Sequence, residues 1–256
     1  LGLTGFFGYK ASQVEVASPV IDQFPSTHPY VETFVKYSEV FGGADRVVIQ
    51  LEVKEGDIFN TETLAKVQRI TRALELLPAI NNYQVLSLAQ KKVKEQVNDS
   101  VRGLRCVPLM WPKLPKTQEE FDHLRRRVYR NERIHGSLVS LDDKATLIIG
   151  GFFADKLDPK ATYLAIEEII EKEADDNHSF QMIGRPILLG TILYQYPQLA
   201  KLFLATIASI LLLLLLYFRD LRGVLVPLTT AIVSAIWGIG FLGVLGYNFD
   251  PLVIVV

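Results

Sequence analysis

The chain has few residues that could form a disulfide, hold a metal or attract nucleic acid. Cys106 is its one cysteine, so an intrachain disulfide is excluded and any folded domain must depend on its own apolar core. The formal net charge is -1, which gives DNA or RNA no electrostatic attraction. The four histidines show neither an HExxH motif nor paired-ligand spacing; they are His28, His123, His135 and His178. We therefore expect no metal, no cofactor and no nucleic-acid partner.

Charge is almost absent from the last quarter of the chain. Residues 202–218 (LFLATIASILLLLLLYF) and 223–247 (GVLVPLTTAIVSAIWGIGFLGVLGY) are uncharged apolar runs of 17 and 25 residues. At about 1.5 Å per helical residue, both can cross a hydrocarbon core of roughly 30 Å, the shorter one with help from its flanks. The sequence therefore predicts a membrane protein with two spans here.

The linker between the two runs predicts the membrane topology. Residues 219–222 can join two spans only if both ends leave the bilayer on the same side, as in an antiparallel helical hairpin. Because short basic loops stay in the cytoplasm, Arg219 and Arg222 are expected to set the topology and to contact lipid headgroups. Only one crossing separates this loop from residues of about 10–197. We expect that stretch on the external face, which is the periplasm in a bacterium, with Lys201 snorkelling at the interface.

The external stretch carries two segments that alternate strand and helix patterns. In the first, residues 46–54 alternate apolar and polar side chains, a helix capped by Asn60 or Thr61 runs to Pro78, and 82–88 reads as a second strand. In the second, the strand is 145–153, the helix begins at Asp158-Pro159 and the closing strand is Phe180–Ile183. Two strand–helix–strand units predict an α+β domain, most simply with helices on one face of an antiparallel or mixed sheet.

Four further elements are predicted around these units. Pro29 is expected to open a short helix that ends at Gly42-Gly43, and a capping box between Thr117 and Glu120 predicts a helix over 118–131. We expect 91–115 to be mostly loop. The stretch 186–218 contains one charged residue and predicts a long helix that enters the bilayer, with Pro197 as a point where it could kink.

The segment around Cys106 offers the external candidates for substrate contact. Cys106 is expected to be a buried or packed thiol. The neighbouring apolar side chains could instead line a path for a hydrophobic substrate, because Met and aromatic side chains make adaptable apolar surfaces; they are Val107, Leu109, Met110 and Trp111.

Two charged groups suggest surfaces. The acidic residues 167–176 are expected to form the solvated face of their helix, with a cation or partner surface as the alternative. The four arginines of the 118–131 helix are expected to form an exposed face, with docking of a domain or subunit as the alternative; they are Arg125, Arg126, Arg127 and Arg130.

The second apolar run contains a GxGxxG match that does not indicate a nucleotide site. A dinucleotide site needs this motif between a strand and a helix, whereas here it lies inside a membrane-length run. Thr230, Ser234 and Gly238 are four residues apart and predict a ridge of small residues for helix packing. Asp250 is expected to lie in an interfacial turn, with an ion site as the alternative.

The order of these features resembles the resistance-nodulation-division (RND) superfamily, especially its MmpL-type and hopanoid-exporter-like branch. The resemblance rests on the order of five features: the apolar remnant LGLTGFFGY at 1–9, STHPYVETFVKY at 26–37, the strand–helix–strand units, FRDLRGVLVPL at 218–228 and WGIGFLGVLGYNFDPL at 237–252. It covers essentially the whole chain, through organisation and loose segments rather than a catalytic signature.

The resemblance implies a multi-pass exporter of the bacterial inner membrane, with no covalent chemistry. The proton gradient would drive the movement of a lipid or other hydrophobic compound, and the external domain would capture or channel it. The implied partners are membrane lipids, the substrate, and a second copy or a periplasmic accessory protein. The family's proton-relay residues are expected beyond Val256, so none is assigned here.

The resemblance also divides the chain. The expected parts are the end of a first transmembrane helix (1–9), a connector and short helix (10–44), an external porter-like α+β domain (45–190), a long helix becoming a span (191–218), a cytoplasmic loop (219–222), a transmembrane helix (223–247) and the start of a further span (248–256). Because the chain begins without methionine and stops within VIVV, we expect it to be a piece of a larger protein. Two other functions stay open: a membrane-anchored external lipid-binding or sensing protein, and a SecDF-like accessory of protein translocation.

Overall fold

A computed structural model describes residues 2–14, 28–41, 43, 45–99, 103–111 and 113–246. The chain divides into two units, Phe34–Tyr196 and the combination of Leu1–Thr33 with Pro197–Val256. The helices are α1 (Gly2–Ala11), α2 (Pro29–Phe41), α3 (Thr61–Glu75), α4 (Gln118–Tyr129), α5 (Pro159–Glu173), α6 (Arg185–Phe218) and α7 (Leu221–Leu245). The strands are β1 (Arg46–Val53), β2 (Ile80–Leu86), β3 (Lys94–Asp99), β4 (Gly103–Pro108), β5 (Ala145–Phe152) and β6 (His178–Ile183).

The Phe34–Tyr196 unit is built on a four-stranded antiparallel sheet in the order β2-β5-β1-β6. β1 lies between β5 and β6, so Val48 pairs with Ile149 on one side and with Ile183 on the other. Strands that are far apart in the sequence, such as β1 and β5, are therefore neighbours in the sheet. The predicted α+β class, with helices beside a sheet, is confirmed.

The core of this unit joins one face of β1 to the apolar stripe of α3. Val47, Ile49 and Leu51 on β1 are completely buried, and every second residue of the strand points into this core. From α3, the buried apolar side chains are Leu64, Val67, Ile70 and Leu74. Full burial of one such side chain is worth about 1.5–3 kcal/mol. This core provides the stability that a disulfide-free domain needs.

The helices of this unit begin where their capping residues predict. Asn60 Oδ1 accepts a hydrogen bond from the Thr63 backbone N–H at 2.8 Å at the start of α3. Thr117 and Glu120 form the complete capping box of α4, and Asp158 caps α5 with Pro159 in its first turn. Local side-chain chemistry therefore sets these three boundaries.

The prediction of a loop over 91–115 is wrong, because β3 and β4 form a separate two-stranded sheet there. Their sequences, KEQVND and GLRCVP, lack the apolar alternation of a half-buried strand, so periodicity did not reveal them. The prediction of a packed thiol is also wrong, since Cys106 on β4 is exposed.

In the second unit, α7 packs on α1 in a parallel register. Trp237 Nε1 donates to Thr4 Oγ1 at 3.3 Å. A Cβ on Gly240 would lie 2.4 Å from the Phe7 carbonyl oxygen, and one on Gly243 would lie 2.5 Å from that of Lys10. Residues later in α1 contact residues later in α7, so the C-terminal ends of the two helices lie at the same end of the pair.

The two apolar helices are joined at a tight turn. α6 ends before Arg219, which adopts a left-handed φ of 50°, and Asp220 caps α7. Within the described residues the backbone of α7 approaches α1 more closely than α6, and the antiparallel hairpin of the two spans stays a prediction. Small residues let helices approach closely in lipid, and α7 presents Gly240 and Gly243 to α1. The expected further span at 248–256, with Asp250, lies outside the described residues.

Candidate functional site

The structure separates the four side chains proposed for substrate contact. Leu109 and Met110 belong to the apolar core and are 5% and 2% exposed. Val107 on β4 is half-buried, and Trp111 is exposed. Trp111 is therefore the member of this group with a large side chain open to a ligand.

Arg127 of α4 holds the β3–β4 hairpin in place. Its Nε donates to Glu95 Oε2 at 2.6 Å, and both side chains are largely buried. The other guanidinium nitrogens donate to three backbone carbonyls of the strand end and the segment that follows it, those of Val107, Pro108 and Leu109. A guanidinium suits this role because its five donors form a fixed planar fork. We call Arg127, Glu95 and these carbonyls the hairpin latch.

The arginines of α4 do not form a single exposed face. Arg126 and Arg130 are exposed as predicted, but Arg127 is in the latch and Arg125 is partly buried. Arg125 pairs with Asp57 and Asp143, and its guanidinium lies over the Phe59 ring. The prediction of an exposed face is therefore wrong for Arg125 and Arg127, because acidic partners from distant loops and strands reach them.

A cavity of about 140 Å³ lies beside Trp111, between α3 and the loop after β2. We call it the Trp111 cavity; its walls are Gln68, Thr71, Arg72, Glu75, Ala89, Gln90, Lys91 and Trp111. The Lys91 ammonium lies 4.7 Å from the centre of the Trp111 ring, at cation–π distance. Glu75 accepts a hydrogen bond from Gln90 Nε2 across the cavity. An aromatic face and polar groups thus converge on one concave surface.

A second groove, of about 280 Å³, lies between α4 and residues 109 and 113–115. Leu109 and Leu124 contribute apolar surface to it, and Lys113 and His123 contribute polar edges. Glu119 and Glu120 also line it, so its charges are mixed. Residues 113–115 therefore border a depression on the α4 side that is separate from the Trp111 cavity.

A polar cluster beside α3 resembles a metal site in composition but is held by a lysine. Glu62, Asp175 and His178 offer ligand atoms within 4.8 Å of one another. However, Lys66 Nζ lies 2.6 Å from Asp175 Oδ2 and donates to the Glu173 carbonyl. The Lys66 ammonium therefore supplies the positive charge that a metal would bring, and its hydrogen bond holds the pKa of Asp175 far below its usual range.

The acidic segment that ends α5 is partly engaged in structure rather than wholly solvated. Glu173 accepts two hydrogen bonds from Arg69, at 2.7 and 2.6 Å, and Asp175 contacts buried His178 at 2.7 Å. His178 Nε2 in turn lies 2.9 Å from Thr63 Oγ1. These contacts tie the end of α5 to α3, so the prediction of a solvated face is wrong for Glu173.

Among the described residues, α6 and α7 are each long and apolar enough to cross a bilayer. Arg219 and Arg222 are exposed at the turn between them. Gly238 of the predicted packing ridge has open space beside it, as no atom lies within 4 Å of its would-be Cβ. The contact with α1 is made by Gly240 and Gly243, so the ridge of Thr230, Ser234 and Gly238 stays a prediction.

The sequence was compared with known protein families and with curated proteins. The model of the MMPL family matches residues 61–251, which is most of the 256-residue chain. None of the curated proteins matches it. The match begins at α3, covers β2, β5 and β6 of the four-stranded sheet and the β3–β4 hairpin, and includes both apolar helices; β1 precedes it. Family members are RND-type membrane transporters rather than enzymes. The chain belongs to the MMPL family.

Proposed function

We propose that this protein is an exporter of lipids or other hydrophobic compounds, driven by the proton gradient across the bacterial inner membrane. The observation that carries the proposal is the family match, which covers most of the α+β unit and two bilayer-length helices in one chain. A hydrophobic substrate fits a protein whose domain is attached directly to the bilayer that stores such molecules.

The proposed topology places the α+β unit in the periplasm and the α6–α7 turn in the cytoplasm. Arg219 and Arg222 in this short connection favour the cytoplasmic side. The parallel packing of α1 and α7 supports the same arrangement. If α7 starts in the cytoplasm, then α1 also ends on the external face, and the chain that follows Ala11 emerges there.

We further propose that the α+β unit is porter-like and captures or channels the substrate. The first residues of α6 are attached to this unit: Arg185 pairs with buried Asp45 at 2.9 Å, and Gly190 packs against Tyr163 and the Pro159 carbonyl. α6 is one continuous helix through Pro197. We propose that movement of the unit is passed along this helix to the membrane span.

The function is tested by reconstituting the complete natural protein in liposomes and following a fluorescent lipid or hydrophobic dye. We expect movement that requires an imposed proton gradient and stops when an uncoupler is added. Binding without movement, by folded and correctly oriented protein, would contradict the exporter and favour an anchored lipid-binding or sensing protein.

The topology has its own test on this 256-residue chain, because Cys106 is its one cysteine and is exposed. We expect a membrane-impermeant maleimide added to spheroplasts to label Cys106 on β4. The matched control is Cys106→Ser with Arg222→Cys, which should be labelled only after the membrane is permeabilised. The opposite pattern of labelling would reverse the proposed topology.

A further inference from the structure

The Trp111 cavity combines a positive charge with an aromatic wall, although no motif in the sequence marks it. Arg72 comes from α3, Lys91 from the loop after β2, and Trp111 from the segment after β4. The three residues are brought together by docking of the hairpin, to which the latch contributes. The cavity exists only in the folded unit.

Two cations of the cavity have no acidic partner. Among the described residues, Arg72 forms no hydrogen bond or ion pair, and Lys91 contacts only the Trp111 ring. By contrast, Arg69, one turn earlier on the same helix, is bound by Glu173 through two hydrogen bonds. Arg72 and Lys91 are therefore available for an anionic ligand.

The one carboxylate in the wall does not cancel this charge. Glu75 accepts a hydrogen bond from Gln90. Burial lowers the pKa of the nearby Lys92, and the charge of Glu75 partly opposes that effect. The cavity wall thus carries two cations, Arg72 and Lys91, and one carboxylate, Glu75, so its net charge is positive. Gln68 adds an amide that can donate a further hydrogen bond.

The size and the aromatic wall limit the ligand. The cavity of about 140 Å³ holds a group larger than water, which needs about 10–15 Å³ of such space, but it does not hold a complete lipid. An arginine fork and a lysine ammonium are the side chains that most often bind phosphate. The exposed face of Trp111 offers apolar contact for the carbon atoms next to that phosphate.

We propose that the Trp111 cavity binds a phosphate group, and that this phosphate is the headgroup of a lipid that the protein transports. Arg72 and Lys91 bind the phosphate oxygens, and Trp111 packs against the adjoining carbon atoms. The lipid part of this statement rests on the proposed export function, whereas phosphate binding does not depend on it.

The test uses the fluorescence of Trp111 in the full chain, held in an uncharged detergent. The chain has two tryptophans, so Trp111→Phe identifies the signal that comes from the cavity rather than from Trp237. Three probes are titrated: a short-chain phosphatidylglycerol, inorganic phosphate, and a diacylglycerol with the same chains but no phosphate. The variants are Arg72→Gln with Lys91→Gln, and the control Arg126→Gln, which removes an exposed arginine of α4 outside the cavity.

We expect the phosphatidylglycerol to change the Trp111 emission of the unaltered protein and of Arg126→Gln. The double variant should bind about tenfold more weakly or worse, because charge-assisted hydrogen bonds are about twice as strong as neutral ones. An equal response to inorganic phosphate would support the phosphate site and identify free phosphate as its ligand. An equal response to diacylglycerol, unchanged binding by the double variant, or no response to any probe would overturn the proposal.

The transport assay separates this proposal from the export function. If the double variant exports lipid normally and unaltered protein shows no phosphate binding, the cavity assignment fails and the exporter stands. If phosphate binds but no lipid moves under a proton gradient, the site stands and its role in export fails.

Discussion

Replacement of Arg127 by methionine is expected to release the β3–β4 hairpin while leaving the four-stranded sheet folded. The side chain keeps its approximate length but loses the donors that reach Glu95 and three backbone carbonyls. Glu95 and Arg127 retain only 8% and 12% side-chain exposure, so the carboxylate is left largely buried without its partner. Removal of one partner of a buried ion pair costs about 3–5 kcal/mol.

This loss should appear as local opening, because an isolated two-stranded hairpin is marginally stable. About 3 kcal/mol corresponds to a rise of roughly 100-fold in the opening equilibrium, since 1.4 kcal/mol is a factor of ten. Hydrogen–deuterium exchange measured by mass spectrometry should show it in Lys94–Asp99 and Gly103–Pro108. Peptides from β1 and β5 should keep their protection.

Two controls make the latch prediction specific. Arg126→Met changes the exposed neighbour on the same helix and should alter stability by no more than about 0.5 kcal/mol. Glu95→Leu combined with Arg127→Met removes both charges and should recover part of the lost protection. If Arg127→Met leaves the hairpin as protected as Arg126→Met does, the latch does not hold it and the reasoning is refuted.

Further predictions concern the helix contact in the membrane unit and the acid response of the domain. Gly240→Ala should push α1 away by about 1 Å, because its Cβ would lie 2.4 Å from the Phe7 oxygen and C–H···O contacts normally span about 3.3–3.6 Å. Disulfide cross-linking of a cysteine pair across α1 and α7 should fall in this variant and persist in Gly238→Ala, where the new Cβ meets nothing; equal yields would contradict the packing. Asp175→Asn should destabilise the domain near neutral pH by about 1–3 kcal/mol, because charged Asp175 is bound by Lys66. Since folding lowers the pKa of Asp175, the stability that its charged form contributes is complete above the ordinary pKa of 3.8 and is lost as pH falls toward the folded pKa. In thermal unfolding, the difference in stability between Asp175→Asn and the unaltered protein should therefore shrink as pH falls below 3.8. A difference that stays constant with pH would exclude the mechanism.

The candidate site was only partly visible in the sequence. Trp111 could be singled out because an aromatic residue in an external apolar segment is a candidate for ligand contact. Arg72 and Lys91 could not, since neither belongs to a motif and they lie on different elements. Leu109 and Met110, which look equivalent to Trp111 in sequence, are taken up by the core.

The sequence by itself determined the features that depend on neighbouring residues. Asn60, the Thr117–Glu120 box and Asp158 place helix starts because a cap bonds to backbone three residues away. The apolar runs predict bilayer-length helices because length and hydrophobicity are properties of the segment itself.

Only the tertiary structure decided the contacts between distant segments. The strand order β2-β5-β1-β6, the hairpin latch and the choice of Gly240 over Gly238 for packing all depend on partners far along the chain. The division of the α4 arginines has the same origin, since Arg127 and Arg126 are adjacent in sequence and differ only in which of them faces Glu95. Composition and periodicity describe one segment at a time, whereas these contacts depend on where a second segment lies in space.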